Sequence, residues 1–139
     1  MINTGIYRIQ HQKLMAMFTD LQTLLVDSSV AANVAQIRSL LSKISSALIV
    51  HLYLEDTELY PELLAHGDPL VQTKAKACQD EMGDLVTAFK SYLAKYSSAD
   101  KIQGTPITFI EDSKQIILAV SNRITAEDSD LFHMLEGRG

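Results

Sequence analysis

At 139 residues the chain has the size of one domain and enough length to bury a real core. A net charge of −5 with no Lys/Arg cluster speaks against nucleic acid as its main partner. The single cysteine excludes an intrachain disulfide and fits a reducing interior. No signal-peptide pattern opens the chain and no apolar run approaches about 18 residues, so the expectation is a cytoplasmic protein without a membrane partner.

Three prolines and six glycines, set among long periodic segments, predict mostly helix. Over residues 3–27, Tyr7, His11, Leu14, Phe18, Leu21 and Leu25 fall on one helical stripe. His11 lies on that apolar stripe rather than on the polar face with Gln12, Lys13 and Asp20. Asp27-Ser28-Ser29 breaks the pattern and supplies an expected N-cap for the next helix, over 30–65. Pro61 lies inside that helix and predicts a kink or restart near Tyr60.

His66-Gly67-Asp68-Pro69 reads as a boundary: Gly67 as a left-handed C-cap, Asp68 as an N-cap, Pro69 as the first helical residue. The third helix, over 69–96, is expected to bury Val71, Ala75, Cys78, Met82, Leu85, Phe89 and Leu93. Residues 97–104 read as polar and irregular. Thr105-Pro106 then opens a fourth helix over 106–135, with Phe109, Ser113, Ile116, Val120, Arg123, Glu127 and Met134 on its inner stripe and Ile117 and Ile124 beside it. The tail from Glu136 to Gly139 is expected to fray. Four amphipathic helices with short breaks predict an all-α, up-down-up-down four-helix bundle spanning 1–139 as a single domain. Such bundles build metal sites from facing core side chains.

The second helix departs from its own pattern. Ile37, Leu41, Ile44 and Leu48 set an apolar seam, which His51, Glu55 and Glu58 then continue with polar groups. An imidazole and a carboxylate four residues apart sit one above the other on a helix, the arrangement of a ligand pair or of two groups that satisfy each other. The fourth helix echoes the frame. His51-x3-Glu55-Asp56-x2-Leu59-Tyr60 aligns with Arg123-x3-Glu127-Asp128-x2-Leu131-Phe132, as two helix pairs related by a pseudo-twofold axis would.

These residues resemble the hemerythrin-like (HHE cation-binding) family over essentially the whole chain. The resemblance rests on a first-helix histidine, His51-x3-Glu55 with a following acid and Leu-aromatic-Pro, and the fourth-helix acids. It implies a bundle whose members hold two irons bridged by carboxylates and bind, carry or sense dioxygen or iron. Carried over by position, His11, His51, Glu55 and Glu127 stand where metal ligands are expected, with Asp128 as the alternative fourth-helix acid. The third helix offers Met82, with Cys78 one turn earlier, where the family has histidine, and Arg123 replaces the fourth-helix histidine. Since the family's first two histidines serve one iron and the other two serve the second, the resemblance implies one surviving half-site.

The core can be filled in two ways. In one, a single non-haem ion, Fe with Mn or Zn as alternatives, is held by His11, His51, Glu55 and Glu127, and the protein binds or senses iron or dioxygen. Arginine cannot ligate metal, so Arg123 would block the second position. In the other, a metal-free interaction or regulatory module, Arg123 forks onto Glu55 or Glu127 and the histidines bond the remaining oxygens. A redox enzyme at a mononuclear iron ranks third, and the sequence names no substrate for it. Cys78 and Met82 read as packing, and no Cys-x-x-Cys-His attaches a haem. His66 and His133 are expected at the surface, as are Asp56, Asp130 and, despite sharing the inner stripe of Glu55, Glu58, and Tyr7 is expected to be a core-edge ring that could also hydrogen-bond a ligand.

Overall fold

The first arm, α1 (Thr4–Leu24), starts at Asn3, whose side chain accepts from the Ile6 backbone N–H. It buries the predicted stripe of His11, Leu14, Phe18 and Leu21, with Leu25 just beyond its end. The computed structural model describes residues 2–82 and 84–138, apart from the side chains of Met82 and Arg138. Met82, expected on the third helix's inner stripe, therefore has its side chain outside the described residues.

Asp27-Ser28-Ser29 does not cap the second arm. Those residues form a short helix of their own, α2 (Asp27–Val30), which seats Val30 in the core. The long helix α3 (Val34–Leu64) starts three residues later, behind Asn33. Its interior holds a π turn at Glu55–Leu59, where the Tyr60 N–H reaches back five residues to the Glu55 carbonyl. Pro61, which has no N–H to give, comes directly afterwards in Tyr60–Leu64. The extra residue in the turn rotates everything after it. Leu59, Tyr60 and Leu63 come inward and Glu58, expected on the inner stripe, is left exposed.

Gly67 does not adopt a left-handed conformation; the arm ends at Ala65 with φ −94°. Asp68 does cap the next helix, accepting from the Leu70 N–H at 2.9 Å. The third arm is two helices, not one. α4 (Pro69–Met82) gives way to α5 (Leu85–Lys95), restarted by Asp84, whose carboxylate accepts from the Thr87 N–H at 3.0 Å. The restart places Tyr92 in the core and leaves Leu93 half-buried. Residues 97–104 are also more ordered than expected: α6 (Ala99–Gln103) buries Ile102 completely.

The last arm, α7, runs from Pro106–Ala126 through a second π turn, Glu127–Phe132, into His133–Arg138. Again the turn brings Leu131 and Phe132 inward, while Asp130 is exposed and Met134 is half-buried. Glu136, expected in a frayed tail, is held, whereas Gly139 lies outside the described residues. Glu136 accepts from Arg8 Nε at 2.8 Å and from the Thr4 hydroxyl at 2.8 Å.

The result is an all-helical bundle whose apolar core falls into two clusters. One spans Leu14–Leu25, Ile37–Leu52 and Phe109–Ile124 with α5, and the other joins Leu59, Tyr60 and Leu63 to Val71, Ala75, Cys78, Leu131 and Phe132. His11, His51, Glu55, Arg123 and Glu127 are all buried, and each lies on its arm where the first cluster gives way to the second.

Candidate metal centre

Each π turn begins at the glutamate of the repeated frame, Glu55 on α3 and Glu127 on α7. Together with His11 from α1 and His51 from α3 they bring four donor atoms within 4.8 Å of one another. His11 Nε2 stands 3.1 Å from His51 Nε2, 3.3 Å from Glu55 Oε2 and 3.2 Å from Glu127 Oε1. His51 Nε2 stands 3.0 Å from Glu55 Oε2. Two donors each about 2.1 Å from one ion lie about 3.0–3.4 Å apart at octahedral or tetrahedral angles, so these separations suit a shared transition metal.

The opposite edges of both rings strengthen the fit. His11 Nδ1 is 2.7 Å from Asp128 Oδ1, and His51 Nδ1 is 2.6 Å from Gln10 Oε1. A carboxylate and an amide oxygen only accept, so each Nδ1 carries a hydrogen, and a ring that holds no second proton presents a bare Nε2 lone pair inward. Two lone pairs 3.1 Å apart beside two carboxylates repel unless a cation or a proton stands among them. Glu55 Oε1 and Glu127 Oε1 are moreover buried without a hydrogen bond among the described residues. Arg123 and His11 approach them to 3.1 and 3.2 Å, close enough for charge attraction but not aligned for a hydrogen bond.

The other side of the cluster is filled. Arg123 Nη2 lies 2.9 Å from Asp56 Oδ1 and 3.1 Å from Glu55 Oε1, and its Nε lies 3.3 Å from Glu127 Oε2. The guanidinium sits 5.3 Å from the centre of the Tyr60 ring, and the Tyr60 hydroxyl donates to Glu127 Oε2 at 2.7 Å. Each glutamate is thus divided, one oxygen toward the histidines and one toward arginine. Arg123 offsets one of the two buried carboxylates, leaving a net negative charge for a cation or proton to balance.

Without a metal, protons take that role. Burial opposes charge on His11, but the neighbouring carboxylates of Glu127 and Glu55 outweigh it and push the imidazole up to about 10. Burial, then the charge of Glu55, raises Glu127 to about 7. Burial works against ionised Glu55 too, but its bonds to His11 and His51 win and hold it well below the usual carboxylate range.

Sequence reasoning named the four converging residues but misplaced several neighbours. Asp128 orients His11 from behind rather than joining the cluster, and Asp56 is exposed as expected but also anchors Arg123. Gln10 went unnoticed, although its position beside His11 was the available signal. The Tyr60 hydroxyl also went unnoticed. Tyr7 meets His51 edge-on through its ring, with centroids 6.2 Å apart. Cys78 is packed in the second apolar cluster, where burial pushes its thiol up. His133 is exposed, whereas His66 is half-buried and accepts from the Asp68 N–H.

Comparison with known protein families returns a match of the hemerythrin HHE cation binding domain to residues 4–135. No curated protein and no solved structure matches the chain significantly.

Proposed function

The chain belongs to the hemerythrin HHE cation-binding family, and on that premise we propose that it binds one transition-metal ion, iron by preference, to sense or bind iron or dioxygen. The ligands are His11, His51, Glu55 and Glu127. The observation that carries this reading is the pair of Nε2 atoms 3.1 Å apart, each ring held from behind through Nδ1. A bound iron supplies a redox-active Lewis acid with coordination positions left for a small ligand such as dioxygen. Asp128 and Gln10 fix ring orientation and tautomer, and Phe132 stacks on the His11 ring with centroids 5.8 Å apart and keeps water off it. Arg123 contributes a permanent cation between Glu55 and Glu127, where a second ion would otherwise be drawn.

Elemental analysis by mass spectrometry of the purified, iron-loaded protein tests the reading. One ion per chain is expected, falling to a tenth or less in His51→Ala. Two ions per chain would overturn the single-site stoichiometry. A second reading, a metal-free module, draws support from the Arg123 contacts to three carboxylates. It predicts no uptake of Fe, Mn or Zn by the wild-type chain.

A further inference from the structure

Large apolar side chains stand exposed on the outward face of α3, among polar ones such as Arg38, Ser42, Lys43 and Ser46. Val50 is 59% and Tyr53 65% exposed, and the neighbouring α1 adds Ile6 at 52% and Ile9 at 54%. By length and composition α3 is apolar enough to cross a bilayer, with a mean hydropathy of 1.2, yet only 33% of that apolar stretch is buried. Between α1 and α3 a cleft of about 590 Å³ opens over Leu14 and His51, flanked by Ser46, Ala47 and Val50 and by the exposed Lys13 and Lys43. Further along the same seam a second cleft contains Ile6, Leu54 and the exposed Glu58. The seam is basic at one end and acidic at the other.

Lys43, Ala47, Val50 and Leu54 recur at helical spacing and share one stripe about 17 Å long, with Tyr53 beside it, and across the π turn the exposed Glu58 lines the same cleft as Leu54. Val50 lies near its middle. A two-fold axis there, perpendicular to α3, pairs positions equally far from residue 50 in opposite directions. It sets Tyr53 of one copy over Ala47 of the other, and it brings Lys43, seven residues before Val50, near Glu58, eight residues after it. We propose that this face is a homodimer interface, α3 packed antiparallel on α3 about Val50, with each Tyr53 entering the other copy's cleft and each Lys43 meeting the other copy's Glu58. An isologous contact needs a self-complementary patch, and opposite charges on either side of an apolar centre supply one. A rigid, exposed tyrosine facing a preformed cleft is the usual anchor of such contacts. An anionic membrane would instead favour a uniformly basic rim, which Glu58 spoils.

Sedimentation velocity of the full chain from about 1 to about 200 μM covers the range expected for a modest interface. The wild type should pass from one to two chains per particle over that range. Tyr53→Ala, Lys43→Glu and Glu58→Lys should each weaken association at least about tenfold, with helicity and metal content unchanged. Mixed in equal amounts, Lys43→Glu and Glu58→Lys chains should associate as tightly as wild type, because each then offers the charge the other needs. A wild type monomeric up to about 200 μM would overturn the proposal, as would a monomer that co-sediments with anionic vesicles. Dimerisation that ignores the three substitutions, or that the mixture fails to restore, would overturn it equally.

Discussion

On α3 the repeated frame delivers an imidazole, His51, to the cluster and sends its aspartate, Asp56, across to Arg123. On α7 the same frame delivers the guanidinium of Arg123 and sends its aspartate, Asp128, back to His11. The backbones agree down to a π turn starting at the glutamate, so the two halves differ in chemistry rather than in shape. One half holds ring nitrogens that a cation or a proton must separate. The other holds a cation that no change of pH will remove. The bundle therefore repeats one backbone frame while giving its two halves different chemistry.

The sharpest way to break this comparison is to remove a lone pair. His51→Ala should weaken iron binding by at least about a thousandfold, since it deletes a ligand and leaves His11 facing an empty volume. Isothermal titration with ferrous ion under anaerobic conditions reads this directly, and binding within tenfold of wild type would refute the ligand role. On the other half the corresponding change is Arg123→Leu. It leaves Glu55 and Glu127 buried without their fixed counter-charge and should cost the metal-free protein about 3–5 kcal/mol, read as a lower urea midpoint. The loss should be smaller in the iron-loaded protein, where the ion supplies charge that arginine no longer does.

The sequence carried the fold because each arm repeats an apolar stripe, and it carried the cluster because His11, His51, Glu55 and Glu127 interrupt those stripes at one depth. Most of the rest was hidden by one device. A π turn has no periodic signature, since a single added residue only shifts the phase. Glu58 therefore shared the inner stripe of Glu55 by extrapolation, although it reads as a surface acid and is exposed, while Leu59 took the inner position. The break at Asp84 was hidden for a related reason, because the apolar residues on either side keep a plausible spacing across it. Residues that act from behind a ligand, such as Gln10 and Asp128, carry no stripe at all. Their role depends on which way a ring edge points, and this emerges only once the helices are packed.

Those rear partners provide the next test. Asp128→Asn keeps the shape but removes a charged acceptor from His11 Nδ1, and Gln10→Leu removes the acceptor from His51 Nδ1. Each should reduce iron affinity about 10–100-fold without altering the one-ion stoichiometry. Acidity should separate the loaded and empty proteins. The folded His11 lies at about 10 against an ordinary value of 6.5, and Glu127 at about 7 against 4.5. Both are raised, so both favour the folded state below their ordinary values, and that contribution is lost as pH rises through about 10 and about 7 respectively. The metal-free protein should therefore lose thermal stability progressively from about pH 5 to about pH 10. The iron-loaded protein, whose ligands have already shed their protons, should not share that decline until its metal is lost. Identical profiles for the two would show that these groups exchange no protons for metal.

The smallest effect expected is at Tyr60, and it tests the comparison most closely. Tyr60 and Phe132 hold equivalent places after the two π turns and differ by one hydroxyl. Phe132 stacks on His11, while Tyr60 lies against Arg123 and donates to Glu127 Oε2 at 2.7 Å. Burial, reinforced by Glu127, holds the phenol protonated far above its ordinary range, so it remains a donor at any pH the fold survives. Tyr60→Phe makes the two halves alike at this position at a cost of one buried hydrogen bond to a carboxylate, about 1–2 kcal/mol. Glu127 keeps its contact to Arg123 through the same oxygen, and its other oxygen still faces His11. Stability in urea should therefore fall by that amount, while iron affinity changes less than about threefold. A large loss of affinity from this distal hydroxyl would mean that the arginine half orients Glu127 for the ion, and the two halves would then have to be treated as one site.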